Sequence, residues 1–204
     1  MAVDEATREM SDTLAQEDAL RAQMYRFLAR LLAAPPDASL LENISKMSGD
    51  DTDLGRSMQS FGKLAARCDA AQIDQEYQDL FIGVGRGELL PYGSYYLTGF
   101  LHEKPLSKLR NDMARLGIQR SADVKEPEDH IAALMDMMAG LITGDFGEPA
   151  TLAEQKKFFE AHISSWAGHF FADLEGAKSS VLYAALGTIG RTFIEIETTA
   201  FSMS

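Results

Sequence analysis

The sequence predicts an all-α protein, a helical bundle of 204 residues. Helix formers dominate it, with 27 Ala, 23 Leu and 10 Met against only 4 Val and 10 Ile. Apolar residues recur at three- and four-residue steps along most of the chain, as on the buried face of a helix. Proline and glycine interrupt this pattern at intervals of about one helix length. The chain is long enough for one large domain or two small ones.

Four helices are predicted in the N-terminal half of the chain. The first ends near Ala34, because Pro35 and Pro36 stop it. A short helix begins at Asp37 or Ser39, and a loop at residues 48–51 precedes the third helix. The predicted buried positions are Leu20, Met24, Phe27, Leu28, Leu31 and Leu32 in the first helix, Met58, Phe61, Leu64 and Cys68 in the third, and Ile73, Tyr77, Leu80 and Phe81 in the fourth.

Residues 83–97 are predicted to form a Gly-rich aromatic loop, since four glycines and Pro91 exclude a regular helix there. The glycines from Gly83 to Gly87 resemble a phosphate cradle, but they lack the Gly-Lys-Ser/Thr ending of a P-loop. A glycine turn is therefore favoured, and a GTP-binding regulatory protein is the alternative function. The loop's tyrosines suit a peptide groove or packing of the loop onto the bundle, and residue chemistry alone does not choose between them.

The second half begins with a helix that has Pro105 at its first position and Gly117 just past its end. Residues 117–126 form a predicted hinge between an N-terminal lobe at residues 1–118 and a C-terminal lobe at residues 119–204. Glu128 and Asp129 are predicted to lie in the first turn of a Met-rich helix, where the helix dipole favours carboxylates.

Two further helices complete the bundle. The chain breaks at residues 144–149, and Thr151 with Glu154 forms a capping box. The last helix begins at about Ser180. The predicted buried positions are Phe159, Ile163, Trp166, Phe170 and Leu174 in the first of these helices, and Leu182, Leu186, Ile189, Phe193 and Ile196 in the second.

Charge and motifs exclude several classes of function. The net charge of −12 makes nucleic acid and membrane surfaces poor partners and favours basic ligands. No histidine follows a Glu by three residues, which excludes that type of di-iron bundle, and no zinc-protease motif is present. An acidic metal site could be formed by Glu126, Glu128, Asp129 and His130. The favoured interpretation is that these carboxylates interact with the dipole at the start of the helix. Cys68 is the only cysteine and no signal peptide is evident, so a cytosolic protein is expected. No general base is identifiable for Cys68, so no catalytic residue, cofactor or metal is expected.

Four segments, in order, resemble the TorD/DmsD family of redox-enzyme maturation chaperones across residues 20–198. They are EYQDLFIGVGRG from Glu76, PYGSYYL from Pro91, EPEDHI from Glu126 and FEAHISSW from Phe159. The resemblance implies a cytosolic, all-α, non-catalytic protein. It implies that the protein binds a molybdoenzyme apoprotein and its twin-arginine signal peptide while the cofactor is inserted, before export.

The resemblance also implies which residues bind the peptide. They are Tyr25, Tyr77, Leu80, Phe81, Pro91, Tyr92, Ser94, Glu126, Pro127, Asp129 and His130. Tyr stands at positions 77 and 92 where some members have Trp, and Gly93 replaces a common Glu. Residues 96–106 look most like members that serve formate dehydrogenases. The expected state is a monomer or a domain-swapped dimer without stable membrane association.

Overall fold

The computed structural model describes residues 2–120 and 125–203, with side chains from residue 16 onward, and this part of the chain is helical with no strand. In chain order the helices are α1 Ala2–Ala33, α2 Ala38–Ser45, α3 Asp53–Ala65, α4 Ala70–Tyr77, the π-helix Gln78–Ile82, α5 Gly93–Thr98, α6 Lys104–Arg115, α7 Ile131–Thr143, α8 Leu152–His162, α9 Ala167–Gly176 and α10 Leu182–Ser202. The all-α prediction is confirmed.

The Met-rich helix α7 is buried on nearly every side, as its apolar sequence predicts. It packs along α1, while α10 packs against α9 and α3. Helices from both predicted lobes thus share one hydrophobic core. Residues 121–124 of the predicted hinge lie outside the described residues, and the division into two lobes stays a prediction.

Several predicted boundaries agree with the observed ones. Helix α1 ends two residues before Pro35, and Asp37 caps α2 by accepting a hydrogen bond from the backbone N–H of Leu40. Thr151 and Glu154 form the reciprocal capping box at the start of α8. Gly117, with a φ of 72°, follows the end of α6.

Other predictions about the helices are wrong. The helix predicted to carry Phe159 through Leu174 is two helices, α8 and α9, with a turn between His162 and Ala167. Residues 93–97, placed in the loop, belong to α5, and Pro105 is the second residue of α6 rather than the first. The side chains predicted as buried but found exposed are Leu20 and Ile196.

Candidate peptide-binding site

Two segments distant in sequence lie side by side and bring most of the predicted site residues together. Tyr92 and His130 form an isolated antiparallel bridge. The backbone N–H of Gly93 donates to the Asp129 carbonyl at 2.9 Å, and that of Ile131 donates to the Pro91 carbonyl at 2.8 Å. We call this cluster the Tyr92–His130 site. Its members are Pro91, Tyr92, Ser94, Glu126, Pro127, Asp129 and His130.

The outer layer of the site is a phenol paired with a carboxylate. The Tyr92 hydroxyl donates to the exposed Glu126 carboxylate. The Tyr92 ring meets the His130 ring edge-on, with centroids 5.2 Å apart. Burial and the Glu126 carboxylate together raise the pKa of Tyr92 above its ordinary value. The phenol therefore stays protonated at neutral pH, and Glu126 presents negative charge to solvent.

Asp129 and Ser94 form the buried layer beneath. The backbone N–H of Ser94 donates to Asp129 Oδ2 at 2.7 Å, which anchors the start of α5. Asp129 Oδ1 and Ser94 Oγ are buried and have no hydrogen-bond partner among the described residues. A buried carboxylate oxygen without a donor is costly, so this layer favours an added N–H or O–H donor.

His130 caps α7 instead of facing solvent as a base. Its Nδ1 accepts a hydrogen bond from the backbone N–H of Ala132 at 3.1 Å, which requires the neutral ring. Burial lowers the pKa of His130 to about 4, although the nearby Glu126 and Asp129 carboxylates oppose the shift. His130 is therefore uncharged at neutral pH.

The acidic residues before α7 differ from their predicted placement. They precede the helix, because α7 begins at Ile131 with His130 as its N-cap. Glu128 instead accepts from Arg110 on α6 at 2.8 Å. Among the described residues no group of three or more His, Cys, Asp or Glu side chains is placed to hold a metal ion.

Tyr77, Leu80 and Phe81 lie in a second aromatic cluster on α4 and the π-helix. The Tyr77 ring packs edge-on against Phe81 with centroids 5.0 Å apart, and Phe81 packs against Tyr183 at 5.6 Å. The Tyr77 hydroxyl donates to the Ala33 carbonyl at 3.0 Å. Burial and, secondly, the Glu126 carboxylate raise the pKa of Tyr77 above its ordinary value. Leu80 is fully buried, whereas Phe81 is partly exposed.

Tyr25 is not part of either cluster. It is fully buried, and its hydroxyl donates to Glu197 Oε2 at 2.9 Å on α10. Arg21 donates from Nε and Nη2 to the same Glu197 carboxylate, each at 2.9 Å. Tyr25 thus belongs to a polar network inside the core. In this conformation Tyr25, Leu80 and Ser94 are all fully buried and have no surface to offer a peptide, and Asp129 is only 3% exposed.

Glu76 has a structural role that the sequence did not indicate, since it appeared there only as the first residue of a family motif. It is buried, and its carboxylate accepts from the backbone N–H groups of Val181, Leu182 and Tyr183 at 2.7 to 3.1 Å. Those groups begin α10 and would otherwise be unpaired. Glu76 therefore ties α4, next to the aromatic cluster, to the last helix.

The glycines after the π-helix allow a tight reversal of the chain. Gly83 has a φ of 61°, and a Cβ there would lie 2.0 Å from the Arg86 carbonyl oxygen. A Cβ on Gly87 would lie 2.5 Å from the backbone of Phe81. The predicted glycine turn is confirmed. Nucleotide binding at this turn stays a prediction.

His162 and Gly93 are explained by packing. His162 is buried, and its Nε2 lies 2.8 Å from Asp112 Oδ2 on α6, as in a hydrogen-bonded core histidine. A Cβ on Gly93 would lie 3.2 Å from the Trp166 ring, so the indole closes the space beneath α5. Sequence reasoning singled out neither contact, since both partners come from other helices.

Comparisons with known proteins agree with the fold. The family model described as nitrate reductase delta subunit matches residues 48–172. The chaperone protein TorD of Vibrio atlanticus strain LGP32 is 26% identical over 210 residues, which cover 93% of this chain and 97% of the relative. The chaperone protein TorD of Aliivibrio fischeri is 25% identical over 198 residues, covering 87% of this chain and 92% of the relative.

A solved structure is similar as well. It is that of a protein assigned to redox enzyme maturation from Archaeoglobus fulgidus, with a TM-score of 0.56 and 20% identity, covering 86% of this chain and 93% of the other. At that identity the likeness supports the helical fold alone. Within the described residues, no helix has the length and apolar character needed to cross a membrane.

Proposed function

The chain belongs to the nitrate reductase delta subunit family, the TorD family of redox-enzyme maturation chaperones, and we propose that it binds the twin-arginine signal peptide of a molybdoenzyme apoprotein. Members of this family are chaperones of molybdoenzyme maturation. In this proposal, binding holds the apoprotein in the cytoplasm until its cofactor is inserted.

The observation that carries the proposal is the layered Tyr92–His130 site. The Glu126 carboxylate is exposed, and Asp129 in the same site has a buried carboxylate oxygen with no donor among the described residues. A guanidinium group supplies several N–H donors and a positive charge, which match the exposed Glu126 carboxylate. The Asp129 oxygen is enclosed in this conformation, so a peptide reaches it only when the residues around it move. The partly exposed rings of Tyr92 and Phe81 provide apolar contacts for the residues that follow the arginines.

The magnitudes permit reversible binding. A hydrogen bond to a charged group contributes about 1.5 to 3 kcal/mol, and a micromolar complex needs about 8 kcal/mol. Two arginines and two or three buried apolar side chains reach that value after the cost of ordering the peptide. The net charge of −12 adds an attraction for the cationic peptide, which weakens as the salt concentration rises.

Calorimetric titration with a twin-arginine leader peptide tests the proposal, with a peptide carrying two lysines in their place as comparison. We expect weaker binding of the lysine peptide, because an ammonium group lacks the planar fork of donors. Equal affinity for both peptides, or no binding of either, would contradict arginine recognition.

A charge-neutral variant locates the contact. Glu126→Gln removes an exposed carboxylate and is expected to weaken leader binding about tenfold, which corresponds to ~1.4 kcal/mol. The matched control is Glu148→Gln, which removes an exposed carboxylate between α7 and α8 and should leave binding unchanged. Equal effects of the two variants would mean that only net charge matters.

The client is proposed to be a formate dehydrogenase, since residues 96–106 look most like members that serve such enzymes. Leader peptides from formate dehydrogenases and from other molybdoenzymes can be compared in the same titration. Preference for a different leader would overturn the client assignment while leaving arginine recognition intact. Sedimentation of the purified protein decides between a monomer and a dimer.

A further inference from the structure

Residues 97–120 carry positive charge within an acidic chain. They contain five Lys and Arg against two Asp and Glu, a net charge of +3, so the other 180 residues carry −15. At physiological ionic strength charges interact over only about 8 Å, so a local patch of this kind acts on a partner in contact with it.

Helix α6 places three of these cations on one exposed face. Lys104, Lys108 and Arg115 recur at intervals of four and seven residues, which puts them on the same side of the helix. The opposite side is buried through Leu106, Leu109 and Met113. Arg115 pairs with Asp112 at 3.1 Å, whereas neither Lys104 nor Lys108 forms an ion pair with the part of the chain that the structure describes.

Three apolar side chains are exposed directly before this helix. Leu97 is 43% exposed, Phe100 69% and Leu101 39%. The turn that displays them is ordered, because the Thr98 hydroxyl donates to the Ser94 carbonyl at 2.8 Å and accepts from the Phe100 N–H at 3.2 Å. His102 has a φ of 63°, in the left-handed region that residues other than glycine adopt uncommonly. Exposed apolar side chains grouped in this way are typical of interaction surfaces.

We propose that this face binds an acidic segment of a partner protein that also presents apolar side chains. The binding surface, called the Phe100–Arg115 surface, consists of Leu97, Phe100, Leu101, Lys104, Lys108 and Arg115. The cations attract the partner's carboxylates, and the apolar ridge buries its apolar groups.

Charge favours a protein segment over a lipid bilayer. An anionic bilayer is a plane that extends past the patch and meets the acidic remainder of the molecule, which carries −15. A segment of a dozen residues fits within α6 and its preceding turn. The surface lies beside the Tyr92–His130 site, because Arg110 on the same helix binds Glu128, two residues before His130.

Fluorescence anisotropy with the full chain tests this surface. The probe is a labelled 16-residue peptide of Glu, Leu and Phe, with apolar residues at helical spacing. We expect binding that weakens as salt rises, since the attraction is between exposed charges. Lys104→Glu combined with Lys108→Glu, and separately Phe100→Ser, should each weaken binding tenfold or more. The matched controls Lys63→Glu on α3 and Ile196→Ser on α10 change exposed residues elsewhere and should alter binding less than twofold.

Three outcomes would overturn the inference: no peptide binding, equal binding by the surface and control variants, or binding to phosphatidylglycerol vesicles without binding to the peptide. Self-association abolished by Lys104→Glu with Lys108→Glu would assign the face to a second copy of this chain instead. The test is separate from that of the proposed function. The surface variants should still bind the leader peptide, and Glu126→Gln should still bind the acidic probe.

Discussion

His130 shows how the burial of one side chain makes stability depend on pH. Its pKa of about 4 in the folded protein lies below the ordinary value of 6.5, so the unfolded chain takes up the proton first as pH falls. The stability that depends on neutral His130 is therefore fully present above about pH 6.5. As the pH falls from there to 4, the free energy of unfolding decreases by about 3 kcal/mol. Protonation also converts Nδ1 from an acceptor into a donor and breaks the cap on α7.

Urea unfolding between pH 7.5 and 4.5 measures this loss. His130→Asn retains a side-chain acceptor for the N-cap and should flatten the pH dependence. Burial also lowers the pKa of His162, so that this residue reduces stability at low pH in the unmodified protein and in the variant alike. The difference in pH dependence between the two proteins therefore reports His130 alone. An unchanged slope in the variant would contradict the assignment. His169→Asn, which removes an exposed histidine, is the control.

For single residues, the resemblance grouped several side chains that do lie together in the fold, but it did not indicate how deeply each one is buried. Tyr92, Glu126, Asp129 and His130 do meet, because the two motifs that contain them lie side by side. Tyr25 lies in the core and bonds to Glu197, which is 172 residues away in the sequence. A short motif carries no information on such a contact, so the burial of Tyr25 was not predicted.

The contact between α9 and α10 depends on glycine. A Cβ on Gly187 would lie 2.6 Å from the Glu175 backbone N and 2.8 Å from the Phe171 carbonyl oxygen. Backbone atoms cannot rotate away, so Gly187→Ala should lower the free energy of unfolding by about 1 to 3 kcal/mol. The control is Gly168→Ala in α9, where a Cβ meets nothing within 4 Å. Its change should lie within about 1 kcal/mol and favour the alanine. Chemical denaturation measures both, and equal losses would contradict the close approach.

The missed break between α8 and α9 has a physical explanation. Phe159, Ile163, Trp166, Phe170 and Leu174 recur at helical steps, and all five are buried. Periodicity reports which residues face the core, and a short turn that keeps them there leaves the pattern intact. By contrast, the start of α8 was predictable, since the Thr151 capping box is a local interaction.

Across the whole molecule, Arg21 joins helices that lie far apart in the chain. It donates to Glu197 on α10 and to Gln155 on α8, and its guanidinium carbon lies 5.2 Å from the centre of the Phe201 ring. Glu197→Leu leaves this partly buried cation without its main partner and should cost about 3 kcal/mol. Arg21→Met combined with Glu197→Leu should cost less than the two single changes added. A double-mutant cycle by urea unfolding measures the coupling, and strictly additive losses would contradict it.

The fold class was predictable from composition and spacing because helix formers and apolar periodicity act locally. The polar network around Arg21 was not predictable. Its partners lie 134 and 176 residues away, and a charged residue within an apolar stripe does not indicate which distant residues it contacts.

The reach of these contacts has a consequence for synthesis on the ribosome. Glu76 meets its backbone partners at residues 181–183, and Arg21 meets Glu197. A nascent chain that has not yet released α10 from the exit tunnel leaves both side chains unmatched and the apolar faces of α3 and α9 uncovered. The proposed chaperone therefore cannot complete its own fold until residue 197 has left the exit tunnel.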